Sequence, residues 1–212
     1  MDSKVTVIAP PASPDATTTL DFERDDMTST TINARGNNDL HYTVETVPRS
    51  RSSNMQTVIR EGDRVLATVR HRDILPDQLI LHGSPPISLR KWLKSPVTAI
   101  LPATFQELGR KYRWKSNNGG KLQLYSDNKA CGVIAWFHPS HITFGRDSED
   151  WSMQTACLSL RSDADIIRDT VVVSCILVLQ KMRAKDKRKD PSETGSEQIR
   201  RSNGSVSPLA SN

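Results

Sequence analysis

Short segments in which apolar and polar residues alternate make up most of the chain. Between Thr17 and Leu160 these segments are rich in β-favouring residues, and Gly, Asn and Asp residues suited to turns separate them. The pattern predicts strands that pair mostly as antiparallel hairpins. The predicted strands cover residues 17–23, 28–33, 40–47, 55–60, 65–71, 78–82, 97–101, 110–115, 121–126, 131–138, 141–144 and 151–160.

The segment that follows has a different pattern. Between Ile166 and Leu179 the apolar side chains leave no polar stripe. Its β-branched residues would suit a strand, but the segment is longer than a usual strand and basic residues follow it, as they often follow a helix. Ser162 and Asp165 have the spacing of a capping box. We therefore predict a helix over about residues 163–183.

A helix that is apolar on every side must be surrounded by apolar material. The uncharged run within this segment, Thr170–Gln180, has eleven residues; such a helix is about 16 Å long, too short for a hydrocarbon layer of about 30 Å. The surroundings must then be protein. The sequence predicts an all-β fold with one central helix, a closed antiparallel β-barrel over residues 17–183 that is threaded by the hydrophobic C-terminal α-helix. Residues 1–16 and 184–212 are predicted to be disordered from their composition.

Positive charge is concentrated near the C-terminal end. The 212 residues carry a net charge of +5, but residues 181–212 hold eight basic and four acidic side chains, which leaves +1 for residues 1–180. Specific nucleic-acid binding by the folded part is therefore not expected. Cys131, Cys157 and Cys175 are odd in number, lack a C-x-x-C pair and follow no export signal. We expect an intracellular protein, cytoplasmic or nuclear and not secreted, with inert thiols.

No motif of enzyme chemistry stands out. The sequence has no nucleophile elbow, phosphate-binding loop, zinc-protease helix or dinucleotide fingerprint. His138 and His141 have a metal-like spacing, but Pro139 and the expected strand and turn prevent a helical ligand pair. We predict a non-enzymatic protein without metal or cofactor. An enzyme with an unfamiliar site would first be indicated by a polar pocket holding two or more convergent titratable groups.

One predicted strand carries a candidate anion site. Lys111, Arg113 and Lys115 alternate with Tyr112 and Trp114, so three cations lie on one face and two aromatic rings on the other. The cations could contact phosphates of a phospholipid, or they could form an ordinary solvated strand face. The aromatic residues are expected in the core.

A second basic cluster follows the predicted helix. It could be a nuclear-import element or a contact for an anionic membrane leaflet, and it could equally be a solvated helix end. Its members are Lys181, Arg183, Lys185, Lys187, Arg188 and Lys189.

Several short segments between residues 17 and 183 carry a family resemblance. They are residues 20–22, 42–46, 57–60 and 66–69, Tyr112 with Trp114 and Lys115, and residues 124–125, 134–135 and 169–173. In this order they resemble a family of uncharacterised domains common in mushroom-forming fungi. The resemblance implies a plan similar to the tubby and LURP-one barrels, where a closed antiparallel sheet encloses a hydrophobic C-terminal helix. Some proteins of that superfamily bind phosphoinositides or are associated with lipid scrambling. The resemblance implies no catalytic residue.

The function predicted from these observations is a non-enzymatic binding or scaffold module that contacts anionic phospholipid headgroups. The alternative is a nuclear or cytoplasmic module that binds another protein and is addressed by its basic tail.

Overall fold

The computed structural model describes residues 5–9, 15–48, 54–117, 121–128, 132–144 and 151–189. The strands are β1 (Val5–Ile8), β2 (Thr18–Phe22), β3 (Ser29–Ala34), β4 (Asn37–Pro48), β5 (Met55–Glu61), β6 (Arg64–Arg70), β7 (Gln78–Leu81), β8 (Ile87–Ser88), β9 (Ala103–Glu107), β10 (Arg110–Ser116), β11 (Leu122–Ser126), β12 (Val133–His138), β13 (His141–Phe144), β14 (Trp151–Gln154) and β15 (Cys157–Leu160). The helices are α1 (Leu89–Trp92), α2 (Ser162–Asp165) and α3 (Arg168–Lys189).

Twelve of the strands form one antiparallel sheet in the order β8-β7-β6-β5-β4-β3-β2-β15-β12-β11-β10-β9. Strands β2 to β8 form one half, strands β9 to β12 with β15 form the other, and the pairing of β2 with β15 joins them. At this junction Thr17 donates hydrogen bonds from its amide and its hydroxyl to the carbonyl oxygen of Leu160, 143 residues away in sequence. The first and last strands of the twelve-stranded sheet in chain order, β2 and β15, are therefore neighbours in its middle.

The prediction of a closed barrel threaded by a helix is wrong, although the fold is mostly β. Within the described ranges, β8 pairs only with β7 and β9 only with β10, so the sheet has two free ends. The strand β8 has only two residues before the chain turns into α1, and it offers no ladder to β9. A single isolated bridge, between Lys94 and Thr104, links the segment after α1 to β9.

The helix α3 lies on the concave side of this open sheet. Residues 171–179 are all buried, with no polar stripe among them. Since consecutive residues of a helix point in all directions, the sheet and its loops must curve around α3. Ser174 is also buried, and its hydroxyl donates to the carbonyl oxygen of Val171 while accepting from the Trp114 indole at 3.0 Å.

The predicted helix is interrupted near its start. It begins as α2 at Ser162, continues through two residues without helix and resumes as α3. The capping-box prediction is wrong, because Arg161 occupies the N-cap position of α2 without a side-chain cap. Asp165 instead accepts hydrogen bonds from Thr18 and Arg168. At its other end α3 extends to Lys189, so residues 184–189 are helical where disorder was predicted.

Two strand predictions and one prediction of disorder also need correction. Residues 97–101 form no strand; they lie between Pro96 and Pro102, and β9 follows them. Residues 151–160 form two strands, because β14 leaves the large sheet and pairs in parallel with β1 and antiparallel with β13. The strand β1 lies within residues 1–16, where disorder was predicted, and its pairing partner is distant in sequence.

Candidate functional site

The three cations of β10 lie on the outer face of the sheet. Lys111, Arg113 and Lys115 are exposed, and Tyr112 and Trp114 between them are buried, as the alternation predicted. The ammonium of Lys115 lies 4.6 Å from the centroid of the Tyr125 ring, across the strand pair. Of four cavities formed by the described residues, one is lined by Lys111 and none by Arg113 or Lys115, so none of these four collects the three cations.

The structure separates the members of the basic cluster at the end of α3. Arg183 is committed to Asp25, which it contacts through both the carboxylate and the main-chain carbonyl oxygen. Lys181 and Lys185 instead line a cavity beside the carboxyl end of α3. Lys187, Arg188 and Lys189 form the end of α3, and their side chains lie outside the described part of the structure.

A cavity of about 480 Å³ lies beside the carboxyl end of α3, and we call it the basic cavity. Three cations line it, Arg90 from α1 and Lys181 and Lys185 from α3. None of the ion pairs among the described residues includes any of these three. The remaining lining residues are Leu75, Pro76, Asp77, Leu89, Ser95, Pro96, Val97, Thr98, Ala99, Ile100 and Ala184.

The environment of Lys181 favours an added anion. Burial lowers the pKa of its ammonium, the carboxylate of Asp77 opposes this shift, and the guanidinium of Arg90 adds to it. The lysine is therefore partly desolvated and faces another cation without forming an ion pair. An anionic group in the cavity would favour the charged ammonium of Lys181, and so would oppose the pKa-lowering effects of burial and of Arg90.

Apolar side chains stand exposed at the rim of the basic cavity. Val97 is 94% exposed and Leu75 is 58% exposed, and both line the cavity. Ile74, next to Leu75 in the same loop, is 96% exposed. Cations and protruding apolar side chains thus occupy one region at the carboxyl end of α3.

A second cavity, of about 630 Å³, lies on another side of the same helix end, and we call it the polar cavity. Its wall holds the Asp25–Arg183 pair, and Asp25 also accepts hydrogen bonds from the amide and hydroxyl of Ser140. Burial raises the pKa of Asp25, but the hydrogen bonds from Ser140 and Arg183 outweigh it, so the pKa lies below its usual value. These contacts hold the loop between β2 and β3 against α3.

Replacing Asp25 with asparagine should destabilise the domain in a pH-dependent way. A carboxyl group whose pKa is lowered by folding stabilises the fold above its unfolded pKa of about 4, and this contribution disappears as the pH falls through the lower folded value. Asp25→Asn should therefore unfold at lower urea concentration than the wild type at pH 7, and the difference should shrink below about pH 4. Asp39→Asn is the control, because Asp39 is exposed and its carboxylate makes no ion pair or hydrogen bond among the described residues. A difference that stays constant between pH 7 and pH 3 would contradict this role of Asp25.

A chain of four hydrogen-bonded side chains runs from the polar cavity to the basic cavity, because Thr46, Thr57 and His71 line the first and Asp77 lines the second. The hydroxyl oxygens of Thr46 and Thr57 are 2.9 Å apart, Thr57 Oγ1 lies 3.0 Å from His71 Nε2, and His71 Nδ1 lies 3.1 Å from Asp77 Oδ2. Because a carboxylate only accepts, a neutral imidazole carries its proton on Nδ1 and accepts from Thr57 at Nε2. The order hydroxyl, imidazole, carboxylate is that of a hydrolase triad. Thr57, however, has no solvent-exposed surface.

Charged groups at the other end of α3 pair with one another. Arg168 contacts Tyr42 at 2.9 Å and Asp165 at 3.3 Å, and Asp169 accepts from Tyr42 at 3.1 Å and from Arg64 at 2.6 Å. Burial and the nearby Asp169 carboxylate raise the pKa of the Tyr42 hydroxyl. These contacts hold the amino end of α3 in place, and they engage the charged side chains of this cluster with one another and not with a ligand.

The other candidates lie apart from these sites. His138 ends β12 and His141 begins β13, and no three metal-ligating side chains cluster within the described ranges. Cys157 and Cys175 are buried free thiols, and burial raises the pKa of Cys157 to about 11. Cys131 lies outside the described residues.

The charge pattern along the sequence indicated the helical cations of the basic cavity but not its loop residues. Lys181 and Lys185 stood out as members of a charge run. Arg90 and Leu75 lie outside the predicted elements and Val97 lies in a segment predicted as a strand, so only contacts between distant segments bring the three together. The one available signal was the proline-rich connection after β7, which places exposed residues beside the sheet.

None of the described helices combines the length and apolar character needed to cross a lipid bilayer. No curated protein and no solved structure significantly matches the chain. A family model does match, over residues 25–184, which extend from the loop after β2 to the two cavities at the end of α3. That match is silent on the expected fungal origin and on kinship with tubby or LURP-one proteins. Since it covers most of the sequence, the chain belongs to DUF6593, a family of unknown function.

Proposed function

We propose that this domain is a non-enzymatic binding module that contacts anionic phospholipid headgroups through the basic cavity. The observation that carries the proposal is the set of three cations, Arg90, Lys181 and Lys185, that line one cavity outside any ion pair of the described residues. Each basic group near an anionic membrane surface contributes about 1 kcal/mol to binding. The cavity therefore offers a compact positive site at the end of the fold.

The apolar rim supports a membrane surface over a free anion. Leu75 and Val97 would enter the boundary between headgroups and acyl chains while the cations contact the phosphates. Exposed apolar side chains beside lysine and arginine are typical of surfaces that lie on a bilayer without crossing it. A soluble anion would use the cations and leave these side chains in water.

The proposal predicts binding that depends on vesicle charge and on the three cavity cations. The wild-type protein should sediment with phosphatidylcholine vesicles that contain phosphatidylserine or a phosphoinositide, and much less with phosphatidylcholine alone. The variant Arg90→Gln/Lys181→Gln/Lys185→Gln should bind the anionic vesicles at least about tenfold more weakly, because it loses three contributions of about 1 kcal/mol each.

A matched variant separates this site from general charge effects. Lys111→Gln/Arg113→Gln/Lys115→Gln removes the same number of charges from the outer face of β10, so it should keep most of the affinity. Equal losses in the two variants would contradict a specific role for the basic cavity. Equal, negligible binding of the wild type to both kinds of vesicle would remove the lipid proposal.

The hydrogen-bonded chain of Thr57, His71 and Asp77 gives the strongest argument for an enzyme, and the burial of Thr57 opposes it. Thr57, His71 and Asp77 are convergent groups of the kind that indicates catalysis, but a nucleophile must reach the substrate carbonyl. The complete burial of Thr57 between β4 and β6 denies that approach. A structural role for this chain of hydrogen bonds, linking β4, β5 and the loop before β7, supports the non-enzymatic proposal.

The alternative of a protein-interaction module addressed by its basic tail has less support. A receptor for a basic peptide needs a segment that can leave the fold, yet Arg183 is paired with Asp25 and Lys181 lines the basic cavity. Both residues also belong to a helix whose preceding turns lie in the core. The alternative therefore depends on Lys185 and on the residues that follow it.

A further inference from the structure

We propose that Ser95 is a phosphorylation site that switches off the contact between the basic cavity and anionic headgroups. This inference rests on the proposed function of that cavity. It concerns a residue that no helix or strand includes, in the connection between α1 and β9.

Ser95 is placed where a protein kinase can reach it. Its side chain is exposed, and residues 95–100 have no helix or strand that would resist the extended conformation an active site requires. Pro96 follows it directly, and a proline after the acceptor is the feature that proline-directed protein kinases read. Lys94 precedes it and adds one more cation to the immediate surroundings.

A phosphate on Ser95 would arise at the wall of the basic cavity. Ser95 lines this cavity together with Arg90, Lys181 and Lys185. A phosphoserine carries about −1.5 to −2 charges at neutral pH, and cations in reach form charge-assisted hydrogen bonds with it. The phosphate on Ser95 would pair with the cavity cations in place of a headgroup phosphate. Its negative charge would also repel an anionic bilayer from the same surface.

The chemical step is transfer of the γ-phosphoryl group of ATP. The Oγ of Ser95 forms a bond to the γ-phosphorus while the bond from that phosphorus to the bridging oxygen breaks, and ADP leaves. The hydroxyl proton passes to the catalytic base of the kinase. No oxidant or further reactant is needed.

The chain contains its own comparison site. Serine precedes proline at Ser13, Ser84, Ser95 and Ser207. Ser84 is exposed in the turn after β7, where its amide donates to the carbonyl oxygen of Leu81 at 2.7 Å. It does not line the basic cavity. Phosphate on Ser84 would therefore add the same charge to the molecule without occupying the cavity cations.

Two full-length variants test the inference. In one, Ser13, Ser84 and Ser207 are replaced by alanine, so that Ser95 is the single serine before a proline. In the other, Ser13, Ser95 and Ser207 are replaced by alanine, so that Ser84 is the single serine before a proline. Each is treated with a proline-directed kinase and Mg-ATP, the phosphorylated peptide is identified by mass spectrometry, and sedimentation with phosphatidylserine-containing vesicles is measured before and after treatment.

Phosphorylation of the variant that keeps Ser95 should weaken vesicle binding about tenfold or more, because at least two cavity cations are neutralised. Phosphorylation of the variant that keeps Ser84 should change binding less than twofold. No phosphate on Ser95, or phosphate there with unchanged binding, would overturn this inference alone. If neither the wild type nor the two untreated variants bind the vesicles, the proposed function is wrong, whatever phosphorylation the mass spectra show.

Discussion

Replacing Val173 with aspartate should lower the free energy of unfolding by about 4 kcal/mol or more, enough to unfold many domains of this size. Val173 lies in the buried part of α3 and is 1% exposed. The new carboxylate would lie among apolar side chains without a partner, and a buried, unpaired charge is one of the most destabilising changes a core can receive.

The measurement is urea or thermal unfolding followed by circular dichroism, with Val97→Asp as the control. Val97 is also a valine outside any strand ladder, but it is almost fully exposed. Its replacement should leave the unfolding midpoint nearly unchanged. A Val173→Asp protein that melts like the wild type would show that α3 is not enclosed by the sheet.

Replacing Trp114 with alanine should cost about 3 to 5 kcal/mol, the range found for large aromatic residues removed from a core. Among the described residues Trp114 is the largest fully buried side chain, and it extends from β10 to contact α3. The substitution opens a cavity beside the helix and leaves the Ser174 hydroxyl without the indole N–H that it accepts.

Trp136→Ala is the matched control on the same sheet. Trp136 faces the outer side of β12, where it is only partly buried, and its removal should cost much less than that of Trp114. A further variant, Ser174→Ala, isolates the hydrogen bond and should cost about 1 to 3 kcal/mol, because it strands the buried indole N–H. Equal unfolding midpoints for Trp114→Ala and Trp136→Ala would contradict the position assigned to the helix.

The identity of the core elements could be predicted because it depends on local patterns. The alternation of Lys111, Tyr112, Arg113 and Trp114 fixed which side of β10 is buried, and the missing polar stripe indicated that α3 is enclosed. Both features are properties of neighbouring residues, which one sequence displays directly.

The closure of the sheet could not be predicted in the same way. Whether the first and last strands of a sheet pair depends on the length of its edge strands and on the path between them. Here β8 is only two residues long, and the turn into α1 follows it at once. Nothing in the alternation of the other strands carries that information, so the expected barrel was wrong while most of its strands were right.

The candidate site shows the same division. Lys181 and Lys185 were visible as a run of charge, and the helix period brings both to one cavity. Arg90 lies about ninety positions before them in the sequence and joins them only through the fold. The pairing of Arg183 with Asp25, which removes one predicted cation from the site, also depends on a contact between distant segments.

The junction of β2 with β15 has a consequence for how the chain reaches its native state. Each half of the sheet can assemble from hairpins that are close in sequence, whereas the junction must close a loop of more than a hundred residues before it gains any stabilising contact. The helix α3 follows β15 in the chain and packs against both halves, so it rewards that closure only after nearly all of the domain has been synthesised. We therefore expect the two halves to form before their junction, and the docking of the apolar helix α3 to be the late step that stabilises the junction and completes folding.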